Sequence, residues 1–199
     1  MSLRIQNNIA AFDAERNLNA TSSRLQMSMA RLSSGYRINT AAAATAPAGP
    51  TAGNGVGARM VAAASAEVGQ AEQPPGSNNS PRIAQYRAAT AGNPGPGPWC
   101  AYFVSWAARQ AGAPLGDQGQ GFGSVDALYA WAQRSGRAYT ASSGHMPKPG
   151  DLIVFHEHIG LVESVDANGQ IHTIEGNSSD QVARRVHSPG DAVGFVRVG

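Results

Sequence analysis

Four side chains in this sequence have the types needed for nucleophilic attack on a carbonyl group. Cys100 is the only cysteine of the 199 residues, and a histidine, a carboxylate and an amide follow at His158, Glu175 and Asn177. A thiol becomes a nucleophile when one histidine nitrogen takes its proton while a fixed acceptor holds the other ring nitrogen. These residues predict a thiol hydrolase site, provided that the fold brings them together.

The segment that carries the histidine, the carboxylate and the amide predicts a β-hairpin. Asn168-Gly169 separates two runs of alternating apolar and polar residues, and Asn-Gly favours the tight turns that join antiparallel strands. A two-residue loop makes His158 a diagonal neighbour of Asn177, whereas a four-residue loop, 166–169, places them directly opposite each other. In both registers Glu175 shares their face, but an odd loop length would turn the two strands' side chains to different faces.

The cysteine begins a predicted helix. GNPGPGP at 92–98 cannot continue a helix, whereas CAYFVSWAARQAG at 100–112 is apolar around nearly its whole circumference, which is typical of a buried helix. The unsatisfied amide groups at the start of a helix favour negative charge. This position therefore favours a reactive thiolate at Cys100.

The other elements predict an α+β fold. Helices are expected at 58–69, around Ile83–Ala88, and in SVDALYAWAQRSGR, where Ser124 is a candidate cap and Gly136 a stop signal. About five short strands are expected in DLIVF, HIGLVESV, QIHTIE, QVARRV and AVGFVRV. Helices followed by alternating strands give a helical layer packed on an antiparallel sheet.

Residues from about 58 to 199 resemble a CHAP domain, the cysteine, histidine-dependent amidohydrolase/peptidase family. The motifs that carry the resemblance are WCAYFVSW, PGD at 149–151, HIG at 158–160 and EGN at 175–177. The resemblance implies a papain-like fold related to the NlpC-type cell-wall peptidases and cleavage of amide bonds in the peptide part of peptidoglycan. It also implies Cys100 as nucleophile, His158 as general base and then acid, and Glu175 with Asn177 orienting the imidazole.

Residues 1–40 resemble the amino-terminal segment of bacterial flagellins. NNIAAF, RNL and RLSSGYRIN carry the likeness, and apolar residues at alternating steps of four and three predict amphipathic helices that need a partner. The resemblance implies flagellar export or axial proteins as partners. TAAAATAPAG replaces the acidic pair of flagellins, so an export or docking segment is favoured over a filament subunit. The alternative is an amphipathic leader without a flagellar role, and residues 41–57 are interpreted as an Ala/Pro/Gly linker.

Charge and apolar patterning exclude some partners. A net charge of +2 gives no argument for nucleic acid, and no apolar run has the length of a membrane span. Asp13, Glu15 and Arg16 interrupt the apolar core that a secretory signal needs, so an extracytoplasmic location in the cell wall or flagellum would require export without a Sec signal. No cofactor is expected, and His156-Glu157-His158 offers too few ligands for a zinc site.

Several residues compete for the same roles. His156 is a rival base, His172 falls on the opposite strand face, and His145 and His187 are interpreted as residues of polar loops. Glu175 would be an ordinary strand-end carboxylate if it paired with Arg184 or Arg185. Two other functions remain open: a non-catalytic flagellar structural or wall-binding protein, and an amidase acting on a small intracellular amide.

Overall fold

A computed structural model describes residues 55–92, 95–140 and 145–199. These residues belong to one compact unit, Ala52–Gly199. The predicted helical segment at 1–40, and the linker up to residue 54, lie outside the described residues.

Helices form where sequence periodicity and caps predict them. They are α1 (Val56–Ser65), α2 (Pro81–Arg87), α3 (Cys100–Gln110) and α4 (Val125–Arg134). The Ser80 hydroxyl caps α2 by accepting from the Ile83 amide, and Ser124 caps α4 in the same way. Helix α1 begins two residues before the predicted start, inside the expected linker. Helix α3 contacts the other three helices and two strands of the sheet.

Six antiparallel strands form the sheet in the order β1-β6-β2-β3-β4-β5. Their bounds are β1 Ala138–Tyr139, β2 Leu152–Val154, β3 Ile159–Val165, β4 Ile171–Glu175, β5 Ala183–His187 and β6 Gly194–Val196. The predicted α+β class is confirmed. The expected number of about five strands was too low, because β1 is too short to show an alternating pattern and exists only through its pairing with β6.

The hairpin between β3 and β4 has a loop of odd length. Val165 pairs with Ile171, the Asp166 amide donates to the Gln170 carbonyl oxygen at 3.0 Å, and residues 167–169 close the loop. Gly169 has a φ of +80°, which suits glycine in such a turn. Neither of the even loop lengths considered from the sequence is present.

A bulge in β3 compensates for the odd loop. Val162 pairs with Thr173 and Ser164 with His172, so Glu163 is the extra residue on β3. This extra residue reverses the side-chain alternation a second time. The side chains at the start of β3 therefore lie on the same face as they would after a loop of even length. Beyond the bulge Leu161 lies opposite Ile174, which is the register of the four-residue alternative.

Apolar side chains pack on both faces of the sheet. The helix-facing side contributes Leu152, Val154, Ile159, Leu161, Ile174 and Val196 to the main core. The other face carries a smaller cluster of Ile153, Val162, Ile171 and Phe195, against which Phe155 packs. Because residues alternate along β4, Thr173 and Glu175 lie on this second face.

Replacing Gly176 by Ala is expected to destabilise the fold by about 1–3 kcal/mol, the usual cost of overpacking a core. Its Cβ would lie 2.5 Å from Phe103 Cβ and 2.9 Å from Trp99 Cζ3, and both neighbours are fully buried. Urea unfolding would measure the loss. Gly190→Ala is the control because nothing lies within 4 Å of its Cβ, and equal stability of the two variants would contradict the packing argument.

Candidate active site

Cys100 lies at the first position of α3 and lines a cleft. It is a free cysteine with 3 % of its surface exposed. The cleft has a volume of about 440 Å³, and its other lining residues are Pro98, Gly123, Ser124, Val125, Asp126 and Glu157. No side chain caps α3, so the amide groups of its first turn have no acceptor supplied by the helix or by a cap. The thiol therefore borders an open cleft, next to amide donors that no cap satisfies.

A buried carboxylate organises the polar groups near this cleft. Glu175 is 2 % exposed, and its Oε2 lies 2.8 Å from Nε2 of His158. Its Oε1 accepts from Thr173 Oγ1 at 2.6 Å and lies 2.6 Å from Nε2 of His187. The alternative pairing of Glu175 with an arginine is wrong, since Arg184 binds Glu163 and the Arg185 guanidinium donates to Ser179 Oγ. Both carboxylate oxygens thus have nitrogen or hydroxyl partners.

Gly160 makes room for this arrangement. The register beyond the bulge places it opposite Glu175, and the glutamate side chain crosses the space where a side chain would stand. A Cβ at position 160 would lie 2.8 Å from Glu175 Cγ. The glycine of the HIG motif therefore lets Glu175 reach along the sheet towards His158.

The charges of His158 and Glu175 stabilise each other. Burial alone would lower the pKa of His158, but its interactions with Cys100 and Glu175 raise that pKa to about 9. Burial alone would raise the pKa of Glu175, but hydrogen bonds with His158, Thr173 and His187 lower that pKa to about 2. An imidazolium and a carboxylate are therefore the preferred forms near neutral pH.

The pH range of this ion pair follows from the two shifts. Stability from His158 is fully present below its ordinary pKa of 6.5 and is lost as the pH rises through about 9. Stability from Glu175 is present above its ordinary pKa of 4.5 and is lost as the pH falls through about 2. The pair contributes most between these two ordinary values.

Within the described part of the chain, the other candidates Asn177, His156 and His172 make no hydrogen bond with His158 or Glu175. Asn177 follows the end of β4, in a turn where its φ is +57°, and its side chain has no hydrogen-bond partner among the described residues. The chain leaves the strand before Asn177 can take the position opposite His158. His156 is exposed, and Nε2 of His172 lies 3.6 Å from Oδ2 of Asp166.

His187 was wrongly interpreted as a loop residue. It is the last residue of β5, its side chain is 22 % exposed, and it contacts Glu175. The segment QVARRV predicts the strand but ends one residue early. No local pattern in the sequence indicates that this histidine reaches the same carboxylate as His158.

Two observations concern metals and membranes. In the described ranges, no group of three or more His, Cys, Asp or Glu side chains is arranged to hold a metal ion. Within those same ranges, no helix combines the length and apolar character that a membrane span requires.

Replacing Glu175 by Gln is expected to lower the pKa of His158 from about 9, because the burial remains while the negative charge is lost. An NMR titration of the imidazole signals measures this change. Glu163→Gln is the matched control, since Glu163 binds the exposed Arg184 and should leave His158 unchanged. A His158 pKa that stays near 9 in the Glu175 variant would refute the proposed pairing.

Comparisons with known proteins identify two segments. A family model described as the CHAP domain matches residues 92–177, a range that includes Cys100, His158 and Glu175. The amino-terminal part is similar to B-type flagellin from Pseudomonas aeruginosa, with 51 % identity over 41 residues. That match covers 21 % of this chain and only 8 % of the flagellin. No solved structure matches the chain. The free cysteine on a helix start, the antiparallel sheet and the family match together show that residues 92–177 are a CHAP domain.

Proposed function

We propose that this protein hydrolyses an amide bond in the peptide part of peptidoglycan through a cysteine thiolate. A CHAP domain indicates a hydrolase of the amidase or peptidase type that acts on the bacterial wall. The observation that carries the cysteine mechanism is the placement of Cys100 at a cleft, with His158 interacting with both Cys100 and Glu175. The bond is either the one that joins the sugar to the peptide or one between residues of the peptide.

The first step starts from an ion pair in which the proton of Cys100 already lies on His158, the form that the raised pKa of His158 favours. The resulting imidazolium is stabilised by Oε2 of Glu175, at 2.8 Å from Nε2. The thiolate adds to the substrate carbonyl carbon, and the electron pair of the C=O bond moves to the carbonyl oxygen. The first amide groups of α3 are suitably placed donors for this oxyanion because neither a cap nor the helix uses them.

In the second step His158 returns its proton to the leaving amine. The C–N bond breaks, the oxyanion collapses to a thioester, and the amine departs. His158 then takes a proton from water, the hydroxide adds to the thioester, and the thiolate leaves as the acid product forms. The enzyme returns to its starting ion pair without a cofactor.

The role of orienting the imidazole belongs to Glu175 in this proposal. Its side chain is buried and makes the contact with His158, whereas Asn177 is turned out of the strand. Asn177 borders the site through its position directly after Glu175 and Gly176. A role in substrate contact or in supporting the turn is compatible with that position.

Replacing His158 by Ala is expected to reduce the release of fragments from purified peptidoglycan sacculi by roughly 1,000-fold or more, since proton transfer is lost from both steps. His156→Ala is the matched control, because this exposed histidine lies two residues away and should keep normal activity. Cys100→Ala should also be inactive while remaining folded. Mass spectrometry of the released fragments measures all three variants.

The new ends of the fragments identify the cleaved bond. A free lactyl carboxylate on the sugar indicates the amidase reaction, and new ends inside the peptide indicate an endopeptidase. Full activity of the Cys100 variant would reject the thiol mechanism. A folded wild-type protein that sediments with sacculi without cutting them would favour a wall-binding role, and one that does neither would direct the search to small amides.

We further propose that residues 1–40 act as a flagellar export or docking segment, which would place the enzyme outside the cytoplasm. The support is the flagellin similarity of this segment. In the source bacterium, secretion of the full chain is expected to stop when flagellar type III export is disabled or when these residues are deleted. Immunoblots of culture supernatants measure the secreted protein. Undiminished secretion in the export mutant would contradict this part of the proposal.

A further inference from the structure

The contact between His187 and Glu175 crosses an unexpectedly long part of the sheet. In the ladder His187 pairs with Ile171, while Glu175 pairs with Ala183. Four residues along a strand correspond to about 13 Å, so a flat sheet would hold the two side chains out of reach. The observed 2.6 Å between His187 Nε2 and Glu175 Oε1 is therefore shorter than a flat sheet allows, as expected for strands that carry the usual twist.

Phe155 supports both histidines from the same side. Its ring stacks on His158 with centroids 6.0 Å apart and contacts His187 at 4.6 Å. The three rings thus come from different parts of the sheet: Phe155 follows β2, His158 precedes β3 and His187 ends β5. The aromatic contact limits the movement of both imidazoles relative to Glu175.

The two oxygens of Glu175 have different partners. Oε1 is surrounded by Thr173 Oγ1 and His187 Nε2, each at 2.6 Å, while Oε2 is left for His158. A carboxylate with both oxygens engaged has no freedom to rotate without breaking a hydrogen bond. Loss of one donor would leave a buried oxygen partly unsatisfied and would loosen the side chain.

We propose that His187 is a positioning residue, which donates its Nε2–H to Oε1 of Glu175 and so keeps Oε2 directed at His158. The inference rests on the proposed function, because it assigns His187 to the support of the general base. The hydrogen bond of His187 goes to Glu175, so this histidine acts through Glu175 rather than on substrate. Two strands, β4 and β5, thereby contribute to the orientation of one imidazole.

Two amide substitutions separate positioning from simple packing. In His187→Gln the amide nitrogen can occupy the place of Nε2 and donate to Glu175. In His187→Asn the side chain is a methylene shorter and cannot reach it. Both replacements are polar and uncharged, so they differ mainly in the reach of the N–H donor. His172→Asn is the control for losing a strand histidine, since His172 lies near Asp166 instead.

The full-length protein is used for two measurements, the NMR titration of His158 and the rate of fragment release from sacculi. For His187→Asn we expect a lower His158 pKa and a release rate reduced roughly 10- to 100-fold, the range for a lost hydrogen bond to a charged group. His187→Gln should recover most of both values. His172→Asn should match the wild type in both.

The two readouts distinguish this inference from the proposed function. An unchanged His158 pKa and release rate in a folded His187→Asn protein would overturn the positioning role. So would a folded His187→Gln variant that is as impaired as the Asn variant. If the wild type releases no fragments, the proposed function fails, but the titration still decides whether His187 controls His158 through Glu175.

Discussion

The burial of one ionised carboxylate constrains the whole sheet. An unpaired charge away from water costs several kcal/mol, so Glu175 needs donors for both of its oxygens. The fold supplies these donors from His158 before β3, Thr173 on β4 and His187 at the end of β5. Gly160 leaves the space through which the side chain passes. The bulge in β3 and the registers of β3, β4 and β5 together place these groups within reach of one another.

Cys100, the proposed nucleophile, is held by a different kind of packing. Trp99, directly before Cys100, is fully buried, and its Nε1–H donates to Glu72 Oε1 at 2.9 Å. Its ring stacks on Tyr86 with centroids 5.7 Å apart and meets Phe103 edge-on. This aromatic cluster fixes the start of α3 against the helical layer. A thiol placed on such a rigid element keeps its position relative to His158, the proposed base, which contacts Glu175 of the sheet.

The helices and strands were predictable to the extent that their signals are local. Ser124, the predicted cap, accepts from the Ala127 amide, and apolar periodicity marks the buried face of the longer helices. Strand β1 was not predicted because a strand of two residues shows no alternation of apolar and polar side chains. The hairpin shows a further limit, since an odd loop and the bulge at Glu163 each reverse the alternation and together cancel. The shared face of His158 and Glu175 was therefore predicted correctly although the loop was not.

The sequence by itself determined the chemistry that is available: one thiol at the start of a buried helix, and a histidine and a glutamate on the same face of a hairpin. These features follow from residue type and from the fixed periods of helices and strands. Only the tertiary structure decided which groups complete the site. It ended β4 before Asn177, whose φ is +57°, and it brought His187 on β5 into contact with Glu175 on β4. Both outcomes depend on the path of the backbone through space, which no spacing along the chain specifies.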